Sequence, residues 1–249
     1  MFVYYFWSIA LGLKLLLVGV ALIKGLFRRF LFFYFYISLL TVFGMLRMYV
    51  HMFDYPQYLA VYWWTQFLIV CAGFWVTWEI FRLTLEGYQG VRKLASLAVI
   101  GVFTIVLSQF LLIAIDSNIT VGVMGLEKNM RGVEVGLLCS LVALILYYRI
   151  PVGLNLLGIF LGYGIFLTSQ MAALLLHNAL GPSAQYWLNP FRQVIEFLVL
   201  FIWLVTLWKF HPKPELCTGE LQEDYQILAV RTSKLLANAR FYIKRIFIS

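Results

Sequence analysis

Charge is what this sequence has least of. Asp, Glu, Lys and Arg make up 12% of its 249 residues against 63% in the hydrophobic set, whereas a water-soluble domain carries roughly a quarter charged residues. Such a chain cannot cover a surface with polar groups, so a soluble globule is excluded and lipid is the solvent. Cysteine is also scarce. Cys71, Cys139 and Cys217 are too few and too scattered for a disulfide framework or a Cys-x-x-Cys metal pair, and they read as free thiols. There is no His-Glu-x-x-His, no Ser, His and Asp arrangement and no glycine-rich phosphate loop. With no motif for intramembrane hydrolysis or any other chemistry, a non-enzymatic protein is expected.

What is present is a series of seven apolar runs: Val3 to Ile23, Phe30 to Val50, Tyr58 to Phe81, Leu94 to Ile115, Gly132 to Tyr148, Val152 to Leu176 and Phe191 to Trp208. Each is near the ~20 residues that cross a bilayer core as helix. The expected fold is therefore all-α: a polytopic membrane bundle over residues 1–210, followed by a cytoplasmic tail at 211–249. No basic residue precedes the first run and no small-x-small cleavage site follows it, so it is expected to stay as a membrane helix. Breakers mark the connections, among them Asp54 and Pro56, Gly87 and Gly90, Pro151, Pro182 and Pro190. The longest connection, Asp116 to Arg131, is read as a loop.

The net charge of +8 is distributed as a topology signal and not as a nucleic-acid surface. Lys24, Arg28, Arg29, Arg82, Arg92, Lys93 and Arg149 fall in alternate connections, and seven more basic residues follow from Lys209 to Arg245. Cytoplasmic loops are enriched in Lys and Arg near helix ends, which predicts an outside amino terminus and an inside carboxyl terminus. The tail places Leu221, Tyr225, Leu228, Leu235, Ile243 and Ile246 near one helical face and Arg231, Lys234 and Arg245 opposite. That pattern predicts a basic amphipathic helix at the membrane surface.

Ionisable side chains inside a spanning helix cost a few kcal/mol unless paired or hydrated, and so mark the places to look for function. Arg47, His51, Gln66, Gln109, Glu134, Gln170, His177, Arg192 and Glu196 all fall in the outer halves of their runs on this topology. Arg47 and His51 are four apart, as are Arg192 and Glu196, while Tyr163, Gln170 and His177 repeat every seven. Each set therefore lies along one helical stripe. Stripes that face inward would make an outward-opening polar pocket for a small amphiphile, with Arg192 and Arg47 on an anionic group, His177, His51 and Gln170 as hydrogen-bonding groups and Glu196 orienting Arg192. Stripes that reach interfacial water, with Arg192 and Glu196 or Arg131 and Glu134 as ordinary ion pairs, would make none.

Lys14 lies near the middle of the first run, about 15 Å of helical rise from either end, and is expected to pair with Glu196 or Glu134 or to reach a hydrated cavity. A retinal Schiff base is rejected, because the lysine of the seventh run, Lys209, stands at its end. Haem held by His51 and His177 is chemically conceivable, but two isolated imidazoles at helix ends are more simply interfacial residues. Gly158-x-x-x-Gly162 predicts a tight helix contact, within the chain or between copies. Two alternatives to ligand binding stay open: a structural or accessory subunit of a membrane complex, pigment- or haem-associated, in contact with itself or a partner; and a proton-coupled transporter using Lys14 and the carboxylates.

The stretch Trp78-Glu79-Ile80-Phe81-Arg82, then Tyr88-x-Gly90-x-Arg92-Lys93-Leu94, with Arg28-Arg29-Phe30 and Phe33 before them, resembles a bacterial family of seven-helix integral membrane proteins with no assigned activity. The resemblance covers most of the bundle and implies a bacterial inner-membrane location.

Overall fold

The computed structural model describes residues 2–116, 119–180 and 185–208, with Ile227 and Val230 beyond them. Among the described residues there are seven α-helices and no strand: α1 Phe2–Ile23, α2 Leu31–Phe53, α3 Tyr58–Thr84, α4 Gln89–Asp116, α5 Ile119–Tyr148, α6 Leu154–Leu180 and α7 Gln185–Trp208. Six contain segments long and apolar enough to cross a membrane, and Ser8–Ile23 of α1 is a shorter apolar helix of the same kind. The chain is thus a polytopic helical membrane protein. The residues named for the amphipathic tail helix, and Cys217, lie outside the described residues.

Successive helices pack on one another, and α1 also packs on α7, which closes the series into a ring. Helix α3 crosses the middle, touching α5 and α6 as well as its neighbours α2 and α4. Its buried face carries Thr65, Ala72, Gly73, Thr77 and Thr84, small residues that let other backbones come close where lipid supplies no hydrophobic drive between helices. Helix α4 is the most lipid-exposed, presenting Leu97, Ile100, Ile105, Leu111 and Leu112 outward.

The connections explain where helices stop. Gly25, after α1, adopts a left-handed conformation at φ 65°, which a side chain would strain. At the end of α5 a non-glycine does the same: Arg149 has φ 49°, and the amide of Ile150 donates back to the carbonyl of Ile145 at 3.1 Å, a left-handed helix ending sealed by Pro151. Two sequence expectations are corrected. The segment read as the loop Asp116 to Arg131 is helical from Ile119, so α5 is the longest helix, at 30 residues, and not the shortest. Glu127 and Arg131 of this segment belong to a polar network, and they looked like loop charges because that network reaches them through Gln66 of another helix. Pro190, read as a loop breaker, sits inside α7 as its sixth residue, where its missing N–H forgoes a single intrahelical bond.

The tightest junction is between α6 and α7. A Cβ on Gly158 would overlap the side chain of Thr206, and one on Gly162 would overlap the indole of Trp203. Across the same seam Asn155 Nδ2 donates to the Thr206 carbonyl at 2.7 Å and Trp203 Nε1 to the Ile159 carbonyl at 3.4 Å. The glycine pair therefore serves a contact within the chain. At the end holding Arg28, Arg82, Arg92 and Arg149, called the basic end here, Lys24 Nζ bonds the carbonyl of Trp208 and lies 5.0 Å above its ring. That bond ties α1 to the last turn of α7, where an ammonium complements the helix dipole. Near the same end Glu79, on α3, accepts from the amides of Phe32 at 3.1 Å and Phe33 at 2.8 Å. The carboxylate therefore caps the amino terminus of α2.

Candidate functional site

A layer of polar side chains crosses the half of the bundle remote from the basic end. Arg47, on α2, donates from Nε to Thr65 Oγ1 at 2.7 Å and from Nη2 to Gln66 Oε1 at 3.0 Å and the Tyr62 carbonyl at 3.3 Å, with its guanidinium 4.4 Å from the Tyr62 ring centre. Gln66 passes the connection on: its Nε2 donates to Glu127 Oε1 at 2.8 Å. The same oxygen takes two bonds from Arg131, from Nε at 2.9 Å and Nη2 at 2.7 Å. One chain of charge-assisted bonds thus joins α2, α3 and α5, each charge meeting an opposite charge or an amide, as burial requires.

A second pair of contacts anchors α7. Lys14 Nζ meets Glu196 Oε1 at 2.5 Å, the two side chains 14% and 34% exposed. One turn earlier on α7, Arg192 Nη2 donates to Gln170 Oε1 of α6 at 2.5 Å. The two groupings approach each other, because Tyr62 lies within electrostatic range of Arg47, Arg192 and Glu127 together, and Tyr36 within range of Arg131, Glu134, Glu196 and Glu127. Replacing Lys14 with Ala leaves Glu196 without its cation. The expected loss is roughly 1–3 kcal/mol, below that of a fully buried pair because Glu196 is partly exposed. Thermal unfolding in detergent checks it, and the exchanged pair Lys14→Glu with Glu196→Lys is expected to recover most of the loss.

Beneath the layer, toward the basic end, lies a small cavity lined by Tyr36, Ile69, Val70, Gly73, Arg131, Glu134, Tyr163 and Leu167. It offers about 10 Å³ to the centre of a water-sized sphere, the scale of a single water molecule. Glu134 is 2% exposed and Tyr163 fully buried. Glu134 and Tyr163 stand close to each other, and Tyr163 close to Thr77, but neither Glu134 Oε1 nor Tyr163 Oη makes a hydrogen bond of ordinary geometry among the described residues. Gly73 makes the space: a Cβ there would stand 2.7 Å from Tyr163 Oη and 3.4 Å from Glu134 Oε1.

Of the residues singled out from sequence, Arg47, Gln170, Arg192 and Glu196 enter the polar layer, joined by Lys14, and Glu134 lines the cavity below it. Two stand apart. His51 is packed edge-on between Tyr55 and Tyr58, with ring centres 5.5 and 5.2 Å away, and Gln109 is exposed on α4. The side chain of His177 lies outside those described. Sequence reasoning placed Gln66 among the outer polar groups but passed over its partner Glu127, and passed over Gly73. Glu127 and Arg131 are four residues apart, the spacing of an ion pair on one helix face, and that was the available signal. Nothing local distinguishes Gly73 from other membrane glycines. The chain matches no protein-family model, and no curated protein or solved structure is significantly similar to it.

Proposed function

We propose that the chain is a non-enzymatic, ligand-binding protein of the bacterial inner membrane, taking up a small amphiphile with an anionic end on the outer side. The basic connections then face the cytoplasm, by the enrichment of Lys and Arg in cytoplasmic loops, and the polar layer faces out. One observation carries the reading: guanidinium groups from α2 and α7, remote in sequence, both lie within electrostatic range of Tyr62. Two cations so placed, one of them the exposed Arg192, suit a carboxylate or phosphate head, while aromatic and aliphatic side chains of the bundle suit the tail. Arg47 is held by Thr65, Gln66 and the Tyr62 ring. Arg192 is tethered to Gln170 and sits one turn from the Lys14–Glu196 pair.

Native mass spectrometry of the detergent-purified protein with decanoate as probe tests the reading. Wild type is expected to retain the probe, and Arg192→Ala to weaken retention by roughly 10- to 100-fold, the equivalent of one charge-assisted contact. Arg192→Lys should fall between them. Equal retention by wild type and Arg192→Ala would remove the anion-binding role.

A further inference from the structure

The cavity beneath the polar layer is not explained by amphiphile binding, for it is too small and too deep. We propose that Glu134 and Tyr163 form a proton-binding site, in which one water molecule occupies the cavity and the Glu134 carboxyl carries an exchangeable proton.

The argument starts from burial. An ionised carboxylate inside a bundle needs a cation or several donors, and a carboxyl that lacks them is more stable neutral. The nearest cation, Arg131, turns two of its N–H groups to Glu127 Oε1, leaving the carboxyl three residues along without that bidentate contact. The groups around Glu134 are few. Helix α2 brings Tyr36, whose ring meets that of Tyr163 edge-on at 5.8 Å. Helix α3 brings Gly73 and, within electrostatic range, the thiol of Cys71. Helix α6 brings Tyr163, and α5 itself brings Arg131 and Glu127. Helix α4, also packed on α5, has no titratable side chain from Leu94 to Ile115. On α7, Glu196 is within range of Tyr36 and is paired to Lys14 of α1.

A water in the cavity supplies what the geometry leaves unmet. It accepts from one of the carboxyl and phenol hydroxyls and donates to the other group, so that two buried polar atoms acquire partners at once. Proton uptake is then a plain transfer: a hydronium reaching the cavity gives its proton to the carboxylate of Glu134 and remains as the water. The chain from Arg47 through Gln66 and Glu127 to Arg131 leads from the remote end of the bundle to the cavity lining.

Infrared spectroscopy of the full-length protein in lipid nanodiscs tests this. Wild type near pH 7 is expected to show the carbonyl stretch of a protonated carboxyl in weakly polar surroundings, moving to lower frequency in D2O. Glu134→Gln should lose that band and Tyr163→Phe should keep it at a displaced frequency. Gly73→Ala, which fills the space, should keep the band and slow its deuterium exchange. Absence of a protonated carboxyl band from wild type overturns the proposal without any variant having to fold, as does a band that survives in Glu134→Gln. None of these outcomes depends on decanoate binding.

Discussion

Glu79→Ala is expected to lower the stability of the bundle by about 2–4 kcal/mol, with the damage concentrated at the start of α2. The amides of a helix's first turn have no partner within the helix, and Phe30, which precedes α2, offers no side-chain cap. In water the solvent would take their place. At this depth Phe33 is fully buried, and an unsatisfied amide in an apolar setting costs several kcal/mol. Glu79 meets both amides, at 3.1 and 2.8 Å, and as a carboxylate at a helix amino terminus it also interacts favourably with the dipole. Hydrogen bonds to a charged acceptor contribute roughly 1.5–3 kcal/mol each, partly offset by relief from burying the carboxylate. Glu79→Gln retains an acceptor and should lose about half as much. Thermal melts in a mild detergent, with hydrogen exchange at residues 31–34, check the effect. A loss no greater in Glu79→Ala than in an exposed control such as Leu31→Ala would exclude the capping role.

The second large effect is at the α6–α7 seam. Gly162→Ala would drive a methyl into the Trp203 indole, which is 2% exposed and wedged against the buried ring of Phe33, with centres 4.9 Å apart. The indole has nowhere to retreat. Overpacking of this kind costs roughly 1–3 kcal/mol, and loss of the Trp203 bond to the Ile159 carbonyl adds to it. Trp203→Ala alone leaves a cavity and is expected to cost about 3–5 kcal/mol. The double variant is the informative one, because the methyl then occupies space the indole has vacated. Its loss should fall short of the sum of the two single losses by about 1 kcal/mol or more. Simple additivity would show that Gly162 and Trp203 do not share the contact.

How much of this was legible beforehand differs from residue to residue. The helices were readable because an apolar run of spanning length is a property of consecutive residues, and α1, α3 and α7 begin or end where the hydropathy changes. Lys14 was readable too. A lysine in the middle of a span demands an anion, the chain has few, and Glu196 was one of the two named. Helix α5 was misread at its start, since Glu127, Lys128 and Arg131 resemble a hydrated loop unless one knows that Gln66 and Arg47 stand opposite. The role of Glu79 was hidden for the same reason: its nearest cation in sequence is Arg82, but its hydrogen-bond partners in space are backbone amides that no composition reveals. His51 and Gln109 had the expected residue type and spacing, but side-chain direction on neighbouring helices kept them out of the layer.

Sequence alone determined that the chain lives in lipid, that it crosses as helices and that its basic connections gather at one end, because transfer free energy and charge act residue by residue. Tertiary structure decided which polar groups satisfy one another, that Gly158 and Gly162 are spent on α7, and that Gly73 opens a space between Glu134 and Tyr163. Those outcomes depend on distances between helices remote in sequence, and in a low-dielectric interior a hydrogen bond or a clash is settled within an ångström.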